Sequence, residues 1–368
     1  MKKKVLALFL VMAMVLSFAA CSQKETQPSV KQDASTEQTS ATETEATKES
    51  EPAAETVSVT FAHNSTDVSP WNQGVEAAIQ ALSDETNGKY QGKSYPNGSL
   101  FQSNWEILLE MTQTNSIQVG VEAMSALAAI NPQVNFLCLP FLFENNDQVF
   151  KFLNSENEAW RNIIDSFEDV GIVILGMAPR PMRQISNSKH AVSTMEDLGD
   201  LTLRSPSNNV IISAMGALGI NAVPMSSGEI YSAIQLGTVD GEDNSLAQQY
   251  DAKTLEVVKY FCICNYIADG SVMFCSKQFF DSLSEEEQAA LRDAGAAFAK
   301  TTYAADNDYF EVAYQAGLDR GIEFTEMSAD EQARCKEACA AVYDEFKNEQ
   351  FDTAVWDELM AAVEAAKQ

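Results

Sequence analysis

From Val57 onward the chain alternates short apolar strands with capped helices, and beyond Ser284 it turns to Ala, Glu, Gln and Lys at helical spacing. These two observations predict an α/β fold that ends in long helices. At 368 residues, 45% of them hydrophobic, the chain holds material for about two domains of roughly 100–200 residues each. Residues 57–62 put Val57, Val59 and Phe61 on one face, as a half-buried strand requires. A helix follows: Ser69 can cap it, Pro70 suits its first turn, and Trp71, Val75, Ala78, Ile79 and Leu82 form its apolar stripe before Gly88. Residues 171–175 read as a buried strand and 201–203 as another, with helices over 209–218 and 230–236 stopped by Gly219 and Gly237. Ser284-Glu285-Glu286-Glu287 is a capping box that opens a helical pattern running to about Gly317. Unbroken, this helix of roughly 30 residues spans about 45 Å, enough to lie across two lobes. A break near Gly295 would make it two ordinary helices.

The first 21 residues read as an address: Lys2, Lys3 and Lys4, an apolar run over 5–16, then Ser17-Phe18-Ala19-Ala20-Cys21. Twelve apolar residues are too few for a spanning helix, which needs about 20. Small residues before a cysteine resemble the lipobox of bacterial lipoproteins, which implies lipid on Cys21. An ordinary secretory leader is the other reading. Residues 22–55 are poor in apolar groups and predict a disordered tether. The net charge of −29, which becomes −32 without the three leader lysines, excludes a nucleic-acid binder.

Two histidines, His63 and His190, leave little for His-based catalysis or zinc, and no nucleophile elbow, Walker loop, GxGxxG, HExxH or paired CxxC is present. Asp240 to Asn244 carries oxygen ligands at alternate positions, but Ser245 stands where a calcium loop needs glycine, and a bidentate Glu is missing. No cofactor or metal is expected. Cys138, Cys262, Cys264 and Cys275 read as buried thiols, while Cys335 and Cys339 at i, i+4 could pair or share a core.

Arginine is scarce yet sits at strand ends. Arg180 and Arg183 follow the strand over 171–175, and Arg204 follows 201–203. In α/β folds ligands gather at carboxyl ends of strands, and a guanidinium pairs with a carboxylate through two charge-assisted bonds. On spacing alone, these arginines could equally serve surface ion pairs.

Several ordered motifs carry a resemblance: residues 95–100 (YPNGSL), 139–143 (LPFLF), 183–189 (RQISNSK), Glu196-Asp197-Leu198 before Leu203-Arg204, Val223-Pro224-Met225, 229–235 (EIYSAIQ) and 239–244 (VDGEDN). Over residues 57–347 the chain resembles the DctP-type solute-binding proteins of tripartite ATP-independent periplasmic (TRAP) transporters. The resemblance implies a two-lobed, type II periplasmic-binding-protein-like fold. Residues 56–178 with 268–308 would form lobe I, and 179–267 with 309–368 lobe II, joined by hinge strands and the long helix. It places Arg204 at the main carboxylate-binding position, Arg183 at a second cleft arginine, and Asn244 beside the same carboxylate. Asn64, Ser207 and Glu242 complete the expected ligand set, and residues 122–125 the opposite wall.

The chain departs from the family at Glu242-Asp243, at Ser226-Ser227-Gly228 and at Thr114-Asn115-Ser116, which suggests a polar far side suited to a sugar acid over a plain dicarboxylate. The expected function is capture of a carboxylate outside the cytoplasmic membrane by a lipid-anchored monomer. Delivery would be to the small and large membrane subunits of the transporter. The expected mechanism is binding with closure, not catalysis. A sensor of the same fold feeding a membrane receptor is the alternative, and a tethered enzyme a third reading without a catalytic constellation behind it.

Overall fold

The computed structural model describes residues 56–368, so Cys21 and the tether lie outside the described residues. Among the described residues nine strands form one mixed sheet: β1 (Val57–His63), β2 (Tyr90–Tyr95), β3 (Val119–Ala123), β4 (Ile172–Asn187), β5 (Thr202–Ser205), β6 (Asn221–Pro224), β7 (Gly241–Asn244), β8 (Tyr260–Ser276) and β9 (Glu323–Glu326). The first helices are α1 (Pro70–Glu85), α2 (Trp105–Gln113), α3 (Met124–Leu127), α4 (Asn146–Leu153), α5 (Glu158–Asp165), α6 (Asn209–Ala217), α7 (Ile230–Gln235), α8 (Leu246–Asp251) and α9 (Lys277–Asp281). Beyond them lie α10 (Glu285–Asp319), α11 (Ala329–Ala338), α12 (Ala340–Gln350) and α13 (Thr353–Ala366).

The strand order is β2-β1-β3-β8-β4-β7-β5-β6, with β9 added to β8. Parallel pairs lie at both ends, β1 with β2 and β3, and β5 with β6 and β7. Between them β4 and β8, 16 and 17 residues long, run antiparallel and join the two parts. The local rules of the sequence hold where chemistry is local: Ser69 caps α1 by accepting from the Asn72 N–H, and Gly88, Gly219 and Gly237 adopt positive φ after their helices.

Helix α10 is one continuous element of 35 residues. It packs against α1 and β4 at one end and α8 further along, so it touches both parts. Neither Gly295 nor Gly317 breaks it, and Gly317 does not mark its end. A Cβ on Gly295 would stand 2.2 Å from the Leu175 carbonyl oxygen, and one on Gly317 2.7 Å from the Phe324 ring. Both glycines are there because neighbouring chain comes too close for a side chain. Gly295→Ala is expected to cost about 1–3 kcal/mol by overpacking, read as a lower urea midpoint. An unchanged midpoint would mean that α10 can lift off β4 freely.

Apolar cores fill both sides of the sheet. One gathers Phe136, Phe152, Trp160 and Trp356, where α13 lies on α4 and α5. A second lies between β1, β4, β8, α1 and α10, with Phe61, Val75 and Phe298 inside it. The six described cysteines are buried free thiols; Cys335 Sγ rests 3.6 Å from Met327 Sδ and Cys339 Sγ 3.9 Å from the Ala214 carbonyl oxygen, so that pair shares a core without bonding.

His63 ends β1 fully buried, its Nε2 3.1 Å from Asn72 Oδ1, which places the proton on that nitrogen. Burial pulls its pKa from 6.5 to about 4, against the opposing hydrogen bond. Between those values the unfolded chain binds a proton that the folded chain refuses, so His63 makes stability fall as pH drops through that window, by about 3 kcal/mol in all. Urea midpoints at pH 7 and pH 4.5 should differ more in the native chain than in His63→Asn. Equal differences would show that the ring is not buried neutral.

Candidate ligand-binding site

Residues three apart on a regular strand face opposite sides of a sheet. Arg180 and Arg183 nevertheless both line one cleft, because the β4–β8 register shifts between them and again before Ile185. Pro181 and Met182 occupy the irregularity, which re-aims the side chains beside it. The cleft has a volume of about 420 Å³. Its walls come from the two parts of the sheet. Glu122 on β3 pairs with Val272, which pairs with Met177 near one end of β4; Arg204 on β5 pairs with Glu242, which pairs with Ser186 near the other. Glu122 and Arg204 therefore line the cleft from opposite parts of the sheet, with Arg180 and Arg183 on β4 between them.

The three arginines differ in what already holds them. Arg183 is spent: Nε donates to both carboxylate oxygens of Asp243 at 2.9 and 3.0 Å, Nη2 to the Asp243 carbonyl at 2.7 Å, and Nη1 to Asp269 at 3.4 Å. Burial disfavours its charge, but Asp243 and Asp269 outweigh that and raise its pKa above the ordinary arginine value. Arg180 donates to Asp269 at 3.3 Å, Asn244 Oδ1 at 3.3 Å and Gln248 Oε1 at 3.0 Å, and lies 5.7 Å from the Trp71 ring centre. Asp269, wholly buried on β8, is the counter-ion of both and also accepts from the Ser125 N–H and hydroxyl.

Arg204 is different. It is 6% exposed and lines the cleft, and its Nε donates to the Met225 carbonyl at 3.0 Å. Among the described residues no carboxylate forms an ion pair with it, and nothing accepts from Nη1 or Nη2. Burial lowers its pKa to about 10 against the field of the neighbouring Glu242 carboxylate, so it stays charged at neutral pH. A buried charge without a partner is costly. An anion from solvent would supply that partner.

Asn64, Arg183, Arg204, Ser207 and Asn244, all named from the sequence, line this one cleft. Glu242 does not line it. It is fully buried beneath Asn244, accepting from Asn244 Nδ2 at 3.1 Å and from the Thr254 hydroxyl, so its contact with a ligand would be indirect. Asp240 precedes β7 and Gly241–Asn244 are the strand itself, not a calcium loop: Asp240 accepts from the Thr202 N–H at 2.7 Å and Asp243 is bound to Arg183. No group of metal-binding side chains occurs among the described residues.

The structure adds Trp71, Gln248 and Asp269 to the site, and brings to it Arg180, which the sequence marked only by its place after a strand. Asp269 carried a readable signal, a lone acid within the apolar run 266–275, where a charge must find a partner. Glu122, on the opposite wall, accepts from Asn64 Nδ2 at 2.8 Å and from the Ala123 N–H at 2.9 Å. Burial raises its pKa, opposed by the Ala123 N–H, Arg180 and Asn64.

Comparison with known proteins fits this geometry. The C4-dicarboxylate-binding periplasmic protein DctP of Rhodobacter capsulatus is 28% identical over 315 residues, covering 85% of this chain and 92% of that one. The sugar-acid-binding protein of Advenella mimigardefordensis, solved with galactonate, superposes with a TM-score of 0.79 at 25% identity, covering 85% and 100%. A TRAP solute-binding protein of Chromohalobacter salexigens, solved with D-glucuronate, shares the fold at a TM-score of 0.77 and 22% identity, covering 84% and 99%. The family profile described as bacterial extracellular solute-binding protein, family 7 (DctP), matches residues 61–350. The chain belongs to that family, the non-catalytic periplasmic solute-binding proteins of TRAP transporters.

Proposed function

We propose that this chain captures a carboxylate-bearing small molecule, a sugar acid or a C4-dicarboxylate-like acid, and delivers it to the small and large membrane subunits of a TRAP transporter. The observation that carries this reading is the buried, unpaired guanidinium of Arg204 facing a cleft. The ligand carboxylate takes the free Nη1 and Nη2, beside Asn244 and Ser207, with Asn64 across the cleft. Two relatives whose names specify a C4-dicarboxylate and a sugar acid are in keeping with this class.

Capture proceeds by closure of residues 56–178 with 268–308 on residues 179–267 with 309–350, hinged on β4 and β8; α13, expected from the sequence in the second body, moves with the first, because its Trp356 packs among Phe136, Phe152 and Trp160. Contacts across these bodies support a closed state: the Thr66 hydroxyl donates to Asp251 at 3.3 Å, and Asn208 Nδ2 donates to the Ser125 carbonyl at 3.1 Å. A ligand that touches both bodies favours that state through contacts the open one lacks. Lipid on Cys21, with residues 22–55 as tether, holds the protein at the outer face of the cytoplasmic membrane.

Thermal unfolding against sugar acids, C4-dicarboxylates and matched neutral sugars tests the reading. A ligand at about 100 times its Kd stabilises by about 2.7 kcal/mol. Shifts with acids and none with neutral sugars are expected; shifts with neutral sugars alone would refute it.

A further inference from the structure

We infer that Glu122 decides which acids the cleft accepts, admitting monocarboxylates whose far end carries hydroxyl groups and rejecting those with a second carboxylate there. This rests on the reading of Arg204 as anchor. With the carboxylate at Arg204, the body of the ligand extends past the hinge arginines toward β3, where Glu122 lines the opposite wall and is 8% exposed.

That wall offers acceptors. A carboxylate has about four lone-pair sites, and Glu122 uses one on each oxygen, for Asn64 Nδ2 and the Ala123 N–H. Asn64 Oδ1 is buried with no donor among the described residues. The nearby cation offsets this only in part, because Arg180 is shared: it pairs with Asp269, donates to Asn244 and Gln248, and makes no hydrogen bond to Glu122. The Ser125 hydroxyl is turned toward Asp269. Ligand hydroxyls can donate to Glu122 and Asn64. A terminal carboxylate donates nothing, and would bring like charge against Glu122 inside a cleft where burial weakens screening.

The test uses pairs that differ only in whether the terminal CH2OH is oxidised to a carboxylate: galactonate with galactarate, gluconate with glucarate, threonate with tartrate. Titration calorimetry on the full chain at pH 7.5 should show at least one pair in which the monocarboxylate binds tenfold or more tightly than its diacid. In Glu122→Gln, which keeps the shape and removes the charge, that preference should fall at least tenfold, chiefly through tighter binding of the diacid. Arg204→Ala should lose both members of the pair. Equal affinity for the two acids in the native chain overturns the inference even if the variant fails to fold. So does an unchanged preference in Glu122→Gln while Arg204→Ala abolishes binding, a result that leaves the anchor standing. Binding that survives in Arg204→Ala overturns the anchor itself, and this inference with it.

Discussion

Arg204→Ala is expected to weaken carboxylate binding at least a hundredfold while leaving the unliganded protein folded, with a small change in its stability. Truncating one member of a buried, hydrogen-bonded charge pair costs about 2–5 kcal/mol, mostly because the other charge is left without a partner. In the complex that stranded charge would be the ligand's. In the free protein two effects oppose: removing Arg204 relieves the desolvation cost of a buried cation with no ion pair, and withdraws from the buried Glu242 the positive charge beside it. Calorimetric titration and an unfolding scan on the same variant separate binding from stability. A variant that binds acids normally, or that loses binding only because it unfolds, would contradict the assignment.

Asp269→Asn should do the opposite and damage the free protein. Asp269 is wholly buried and is counter-ion to Arg180 and Arg183, so neutralising it leaves two buried guanidiniums short of charge and loosens Ser125 on the facing wall. Breaking a buried pair of this kind costs about 3–5 kcal/mol. For a protein of this size that corresponds to a fall in unfolding midpoint of about 10 °C. Arg183 keeps Asp243 and so limits the loss. A shift within 2 °C, judged small against the roughly 2–4 °C expected per kcal/mol, would mean that the arginines find other partners.

What was legible in the sequence follows the range of the forces involved. Ser69, Ser284 and the glycines after α1, α6 and α7 act within one helical turn, and they were readable without tertiary information. Gly295 looked like a break because the reason for it, the Leu175 carbonyl, lies far away in sequence, and Gly317 looked like an end because the Phe324 ring covers it only once β9 has paired with β8. The site divides in the same way. Arg183, Arg204 and Asn244 could be named from strand ends and ordered motifs, but which arginine is free depends on where Asp243 and Asp269 fall once β4, β7 and β8 are paired. Spacing could not separate Glu242 from Asn244 either. Both project from β7, yet only Asn244 reaches the cleft, with Glu242 one pleat deeper beneath it.

A crystal structure with a bound carboxylate tests the anchoring of the ligand most directly. We expect its two carboxylate oxygens within about 3 Å of Nη1 and Nη2 of Arg204, as charge-assisted hydrogen bonds require, with Asn244 beside them and Arg183 still held by Asp243. A carboxylate seated instead on Arg180, or a ligand that leaves the Arg204 guanidinium unpaired, would contradict it.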